Sequence, residues 1–222
     1  MGTFIEGLKA KAKANMKTIV LAEGEDIRTI KAASIVKAEG YAVNVLLGDP
    51  AKINKMAAEE GVNIDGIEII DPSKGNEEFA ELFAELRKKK GVTIEEARET
   101  VKDPLYYGVM MVKTGKADGM VAGAINSSAN VIRPSLQILK TSKDAKLVSA
   151  FFVINVPNCD LGENGTFIFA DSGLNQDPTA DEVAEIALSS AASFKALVGA
   201  EPKVAMLSYS TYGSAKHPLV DK

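Results

Sequence analysis

The sequence predicts an α/β protein, and three observations support that prediction. Short apolar runs of β type alternate along the chain with longer segments whose apolar residues recur at helical spacing. The helical segments are ten or more residues long, so the strands are expected to join by crossovers into a mostly parallel sheet with helices on both faces. A chain of 222 residues, 46% hydrophobic and 25% charged, is long enough to bury a core in one large domain or two smaller ones.

Four strands and the helices between them are predicted in the first part of the chain. Gly40 ends the first of these helices as a C′ glycine commonly does. Pro50 takes the first position of the second helix, and Pro104 interrupts the helical region that follows. The strands are expected at residues 17–22, 42–47, 67–70 and 118–123. The helices are expected at residues 25–39, 50–60 and, as a succession of shorter helices, 76–113.

The chain is expected to form two α/β domains, residues 1–142 and residues 143–222. In the second, two β-type runs flank a turn-rich segment, which predicts a hairpin-like element. The chain ends soon after the last predicted strand, so we expect this domain to be truncated at its C-terminal side. The strands of this part are expected at residues 147–156, 166–170 and 204–208, and its helix at residues 181–198.

Composition excludes several classes of function. The 26 basic and 30 acidic residues give a net charge of −4, and no basic cluster of the kind that nucleic-acid binding needs is present. One cysteine and one histidine cannot build an intrachain disulfide or a His/Cys metal site. Cys159 has no nearby histidine to activate it and is interpreted as a bystander. No apolar run approaches 18 residues, so no membrane segment is predicted and a cytoplasmic protein is expected.

The loop after the fourth predicted strand carries residues suited to bind an anion. In open α/β sheets, ligands bind beyond the carboxyl ends of the strands. Asn126, Ser127 and Ser128 offer short polar groups where a helix starts, and Arg133 lies one turn further on. Backbone N–H groups, hydroxyls and a guanidinium together suit a phosphate or a carboxylate. Plain capping of the helix by serine is the alternative, and spacing alone leaves both open.

Three other segments carry polar or charged residues that allow two interpretations each. The loop at residues 208–216 is rich in Gly, Ser and Thr but lacks the Walker spacing, so it is either an anion-binding turn or a flexible loop. Glu23 and its acidic neighbours are interpreted as complementing the dipole at a helix start. Arg87 opens a basic run that is either a solvated helix end or part of a site for a polyanion. The residues by themselves thus predict a cytosolic enzyme that handles a phosphorylated, non-nucleic ligand.

Four ordered segments resemble the phosphate acetyltransferase (phosphotransacetylase) family, and the resemblance covers its N-terminal two-thirds. They read AEGEDIRTIKAA, DGMVAGAINSSANVIRPSLQILKT, FADSGLNQDPTADEVAEIA and KVAMLSYSTYGSAKHP. The resemblance implies reversible transfer of an acetyl group between acetyl phosphate and coenzyme A. It implies no metal and no cofactor, coenzyme A being a substrate. It further implies two three-layer α/β domains resembling the isocitrate/isopropylmalate dehydrogenase-like fold, and a homodimer when full length.

The resemblance also implies roles for particular residues. It gives Arg133 a catalytic role. The residues it assigns to binding of coenzyme A, acetyl-CoA, acetyl phosphate or phosphate are Arg87, Ser127, Ser128, Gly213, Ser214 and Lys216. The family's aspartate base and its Ser-Arg pair have no counterpart up to Lys222. We therefore expect this chain to be inactive or nearly so by itself.

Three alternatives stay open at this point. The first is phosphate butyryltransferase, which shares the fold and the reaction but takes a longer acyl group. The second is a non-catalytic domain of the same fold that binds acetyl-CoA. The third is a structural fragment that binds no coenzyme A.

Overall fold

A computed structural model describes residues 2–143, 145–208, 210–211 and 213–221. Two compact units are present. One is Lys9–Lys140, and the other combines Met1–Leu8 with Thr141–Lys222. These units differ from the division expected from the sequence in that the first eight residues group with the C-terminal segment.

The helices and strands alternate in the order that the sequence predicts. The helices are α1 (Gly2–Ala14), α2 (Ile27–Glu39), α3 (Pro50–Glu59), α4 (Glu77–Arg87), α5 (Ile94–Thr100), α6 (Pro104–Lys113), α7 (Ser128–Ile138), α8 (Ala180–Val198) and α9 (Pro218–Asp221). The strands are β1 (Lys17–Leu21), β2 (Ala42–Leu47), β3 (Glu68–Ile70), β4 (Gly119–Val121), β5 (Phe151–Asn155) and β6 (Thr166–Ala170). Helix α1 was not among the predicted elements.

The unit Lys9–Lys140 is built on a four-stranded parallel sheet in the order β3-β2-β1-β4. Strand β1 lies between β2 and β4, with Leu21 opposite Leu46 on one side and Val121 on the other. The expected α/β class with a parallel sheet is therefore confirmed.

Each face of this sheet carries its own buried core. Side chains alternate along a strand, so Val45 and Leu47 point to one face of β2 while Leu46 points to the other. On the first face, Phe79 of α4 and Met110 of α6 pack with Val45 and Leu47. Helices α2 and α3 cover the opposite face. Because helices pack on both faces of the sheet, the ends of the strands are the part of the sheet left open to a ligand.

The ends of these helices follow from local chemistry. Asp26, Asp49 and Asp103 each accept backbone N–H groups as N-caps, and a proline follows Asp49 and Asp103 at once. Gly40 ends α2 in the left-handed conformation, with φ of 70°. The sequence signals at Gly40, Pro50 and Pro104 were therefore interpreted correctly.

The unit that contains Thr141–Lys222 is built on an antiparallel pair. Strands β5 and β6 pair from Phe151 opposite Ala170 to Asn155 opposite Thr166, which confirms the predicted hairpin-like element. Helix α8 packs on β6 and buries Ile186. Phe169 is 57% exposed, so much of the apolar surface of the pair faces outward.

The strand predicted at residues 204–208 is wrong, because these residues form no ladder in the part of the chain that the structure describes. A strand needs a neighbour to satisfy its backbone groups. Leu207 is 93% exposed and Met206 58% exposed, so the apolar run that suggested a buried strand is not covered. Separately, no helix among the described residues combines the length and the apolar character needed to cross a bilayer.

Candidate functional site

The carboxyl ends of β1 and β4 form the switch point of the parallel sheet. From β1 the chain runs to β2 and β3 on one side, and it later returns to β4 on the other side of β1. The loops that leave β1 and β4 lead to α2 and α7, which cover opposite faces of the sheet, and such a switch point is where open α/β sheets bind ligands. Residues 22–26 and 122–127 form these two loops.

Glu23 holds the two loops together. Its carboxylate is 5% exposed and accepts backbone N–H groups from Gly123, Ala124, Ile125 and Asn126 at 2.6–3.0 Å. The Asn126 side chain donates a fifth hydrogen bond at 2.9 Å. The interpretation of this carboxylate as a dipole-complementing acid is therefore wrong, because it lies before α2 and faces the β4–α7 loop.

The environment of Glu23 keeps its carboxylate charged. Burial acts to raise the pKa, but the hydrogen bonds from Asn126, Ile125 and Ala124 outweigh burial and lower the pKa from 4.5 to about 2. The next residue is Gly24, where an added Cβ would lie 2.5 Å from the carbonyl oxygen of Leu47. Glycine is required at this close approach, which seats Glu23 against the sheet.

Ser127 and Ser128 lie at the start of α7. The Ser127 hydroxyl accepts the backbone N–H of Asn130 at 3.3 Å as the N-cap, so the capping role is present. Both serines are exposed, and their contact with substrate stays a prediction. The backbone N–H groups just before them are taken by Glu23, so the anion site has fewer free N–H groups than the sequence suggested.

Arg87 and Arg133 lie on two helices that pack near Tyr106, and the charges of both act on it. Arg87 ends α4 and Arg133 lies in the second turn of α7; α7 packs on α4 and α6. The Tyr106 hydroxyl lies 3.0 Å from Oε1 of Gln137, to which it donates. Burial raises the pKa of Tyr106, while the positive charges of Arg133 and Arg87 act against that rise. The negative charge of Asp103 acts in the opposite direction to the two arginines and adds to the rise.

A groove of about 730 Å³ opens beside Arg87 and Tyr106. The ring of Phe83 forms part of its floor and meets the Tyr106 ring edge to face, with centroids 5.6 Å apart. The opposite wall is α5, which contributes Glu95 and Glu99. An anion is therefore favoured at the arginine end of the groove and disfavoured along α5.

Gly213, Ser214 and Lys216 belong to the other compact unit. Gly213 has φ of 74°, and the Ser214 hydroxyl donates to the carbonyl oxygen of Thr211 at 2.6 Å. Lys216 is exposed. The two tyrosines of this predicted loop, at positions 209 and 212, lie outside the described residues. A role in binding substrate stays a prediction for this loop.

Sequence reasoning missed two residues of the site and gave a third, Glu23, the wrong role. Tyr106 and Gln137 gave no signal, because a tyrosine and a glutamine on amphipathic helices read as ordinary partly buried residues. Glu23 could have been found from its place directly after a buried strand, since that strand and β4 become neighbours only at the switch point.

The fold and this site define a class: an α/β protein with a parallel sheet, a switch point between β1 and β4, and arginines on the helices α4 and α7. The model of the family described as "Phosphate acetyl/butaryl transferase" matches residues 3–222. The chain belongs to this family.

Curated relatives are named phosphate acetyltransferase. One from Acetivibrio thermocellus is 56% identical over 222 residues, which is 99% of this chain and 66% of the relative. One from Escherichia coli is 45% identical over 207 residues, which is 93% of this chain and 28% of the relative. The chain thus spans about two thirds of the first of these proteins and a smaller share of the second.

Solved structures of phosphotransacetylases share the fold. One from Streptococcus pyogenes has a TM-score of 0.86 at 40% identity and covers 98% of this chain and 65% of that chain. One from Staphylococcus aureus has a TM-score of 0.84 at 38% identity, with 97% and 63% covered.

Proposed function

We propose that this chain supplies the phosphate-binding half of an enzyme that transfers an acetyl group between acetyl phosphate and coenzyme A. The observation that carries the proposal is that the positive charges of Arg87 and Arg133 both act on Tyr106, and that Arg87 and Tyr106 line an open groove. Two guanidiniums on helices that flank one tyrosine suit the phosphate of an acyl phosphate and the phosphates of coenzyme A. The names of the relatives support the same reaction.

In the proposed reaction, the coenzyme A thiol loses its proton to a base, and the thiolate sulfur attacks the acetyl carbonyl carbon. The carbon–sulfur bond forms, the bond from carbon to the phosphate oxygen breaks, and phosphate leaves with the electron pair. Arg133 stabilises charge on the departing phosphate, and Arg87 binds phosphate at the groove. Ser127, Ser128, Gly213, Ser214 and Lys216 are proposed as further binding residues.

The proposed function also has consequences for cofactors, cellular location, oligomeric state and substrate preference. It includes no metal and no cofactor, a cytoplasmic location and a homodimer for the full-length protein. It retains two α/β domains resembling the isocitrate/isopropylmalate dehydrogenase-like fold. Acetyl phosphate is favoured over butyryl phosphate because the relatives are named for acetyl transfer, and comparing turnover of the two substrates by a full-length form separates them.

The first test concerns turnover by the chain as given. The proposed base is an aspartate that the resemblance places outside residues 1–222, so we expect this chain to form little or no thioester from acetyl phosphate and coenzyme A. Absorbance of the thioester measures it, with a full-length relative as the positive control. Robust turnover by the 222-residue chain would contradict the proposed division of the site.

The second test concerns binding by the arginine pair. Arg87→Gln and Arg133→Gln should each weaken coenzyme A binding by about 10- to 100-fold, since each removes a charge-assisted hydrogen bond worth roughly 1.5–3 kcal/mol. Isothermal titration calorimetry measures the affinity. Arg98→Gln is the matched control, because Arg98 pairs with Glu77 at 2.6 Å on the surface, and it should bind as the wild type does.

The outcomes of this second test separate the alternatives. Equal affinities in all four proteins would remove the arginine pair from the site. No binding by the wild type at millimolar coenzyme A would favour a structural fragment. Binding without turnover in a chain extended to full length would favour the non-catalytic acetyl-CoA-binding domain.

A further inference from the structure

We infer that Glu23 is a positioning residue that fixes the β4–α7 loop and thereby aims Arg133. This inference rests on the proposed function, because it assigns Glu23 a task in the same site. Glu23 itself is not proposed to touch substrate.

The hydrogen-bonding geometry is the main support. Oε2 of Glu23 lies 2.7 Å from the backbone nitrogen of Gly123 and 2.6 Å from that of Ala124. Oε1 lies 3.0 Å from the nitrogen of Ile125 and 2.8 Å from that of Asn126. Four consecutive N–H groups thus converge on one carboxylate, which sets the path of every residue in the loop.

The loop has little apolar anchoring of its own. Ile125 at its tip is 66% exposed, and Gly123 has φ of 113° with open space around its α-carbon. Arg28 adds a hydrogen bond to the carbonyl oxygen of Ala124 at 2.6 Å and is itself held by Asp26. The conformation of this exposed loop therefore depends on polar contacts, and Glu23 supplies five of them.

The loop leads directly into α7, so the position of the loop sets where α7 begins. Asn126 accounts for two of the five hydrogen bonds, and the next residue, Ser127, is the N-cap of α7. Arg133 lies less than two turns into that helix. Successive turns of a helix are tied by i→i−4 hydrogen bonds, and Arg133 lies before Pro134, the proline inside α7. A shift at Asn126 is therefore expected to displace the Arg133 guanidinium. Arg87 is on α4 and does not depend on this loop.

The substitution Glu23→Gln tests the inference because it keeps the shape and replaces one of the two acceptor oxygens with a donor. A carboxamide nitrogen cannot accept, so two of the loop N–H groups face a donor. Glu23→Asp is the conservative partner, because it keeps both acceptor oxygens on a shorter side chain. Circular dichroism establishes that each variant is folded, and Glu23→Asp keeps the inference testable where Glu23→Gln does not fold.

The first readout is a double-mutant cycle for coenzyme A affinity. Glu23→Gln should weaken binding about tenfold in the wild-type background and by less than about threefold in Arg133→Gln, because residues that act as a unit are not additive. In Arg87→Gln the loss should stay about tenfold. Glu23→Asp should bind more tightly than Glu23→Gln. Equal losses in both arginine backgrounds, or no loss in the wild type, would overturn the inference.

The second readout needs no ligand. In an NMR spectrum of the arginine Nε–H groups, Glu23→Gln should move the Arg133 signal and leave the Arg98 signal in place. An unmoved Arg133 signal overturns the inference even where coenzyme A binds. Absence of coenzyme A binding by a wild type whose Arg133 signal responds to Glu23→Gln contradicts the proposed function and supports the positioning.

Discussion

Acidification from pH 4.5 to pH 2 is expected to remove about 3 kcal/mol from the free energy of unfolding through Glu23 alone. The pKa of this carboxyl is about 2 in the folded chain against 4.5 ordinarily. A lowered pKa stabilises the fold fully above the unfolded value and loses that contribution as the pH falls through the folded value. Each unit of difference between the pKa of the folded and the unfolded chain corresponds to about 1.4 kcal/mol.

Urea unfolding at several pH values measures this dependence. The difference in stability between the wild type and Glu23→Gln should be largest near neutral pH and should shrink as the pH falls below about 4.5. Glu68→Gln, on an exposed carboxyl of β3, is the control and should leave the pH dependence of the wild type in place. Parallel curves for the wild type and Glu23→Gln would show that the Glu23 carboxylate is not held by the loop.

Phe79→Ala is expected to lower the free energy of unfolding by about 3–5 kcal/mol, since it opens a cavity in a packed core. Phe79 is 1% exposed and packs on Tyr107 with ring centroids 5.0 Å apart. The Lys116 ammonium lies 4.8 Å from the centre of the ring, so truncation also removes a cation–π contact.

The matched variant for this core position is Phe79→Leu. It keeps most of the apolar volume, so it should cost roughly 1–2 kcal/mol, about half or less of the alanine effect. Chemical unfolding of both variants at neutral pH measures the difference. Losses below about 1 kcal/mol for alanine would mean that α4 is not packed on the sheet as described. Arg87 lies two turns further along α4. Phe79→Ala should therefore lower the affinity for coenzyme A more than Phe79→Leu does.

Most of the fold could be predicted because the first unit obeys local rules. Strand β2 was predicted to the residue, since its apolar run is bounded by Gly40 and Gly48. The run at residues 204–208 has the same texture yet forms no strand among the described residues. A strand depends on a neighbour as well as on its own sequence. A short apolar run does not indicate which strand it would pair with.

The site could be predicted only in part, for a related reason. Arg133 follows a polar helix start and Arg87 opens a basic run, so the sequence indicates both as candidate anion-binding residues. That the charges of both act on Tyr106 depends on how α4, α6 and α7 pack, which no spacing along the chain reveals. Glu23 was misjudged because its partners lie about one hundred residues away.

The buried carboxylate of Glu23 acts as an internal counter-ion. It occupies the N–H groups of the loop that would otherwise attract a phosphate, and its negative charge opposes a second anion there. In the proposed function, attraction of the anionic substrate therefore falls to the guanidiniums of Arg133, which is exposed, and of Arg87, which is half-buried. Charges of this kind are screened over about 8–10 Å in physiological salt. The affinity for a phosphorylated ligand should consequently fall as the ionic strength rises. This dependence should be stronger than in a site where free N–H groups at a helix start bind the phosphate.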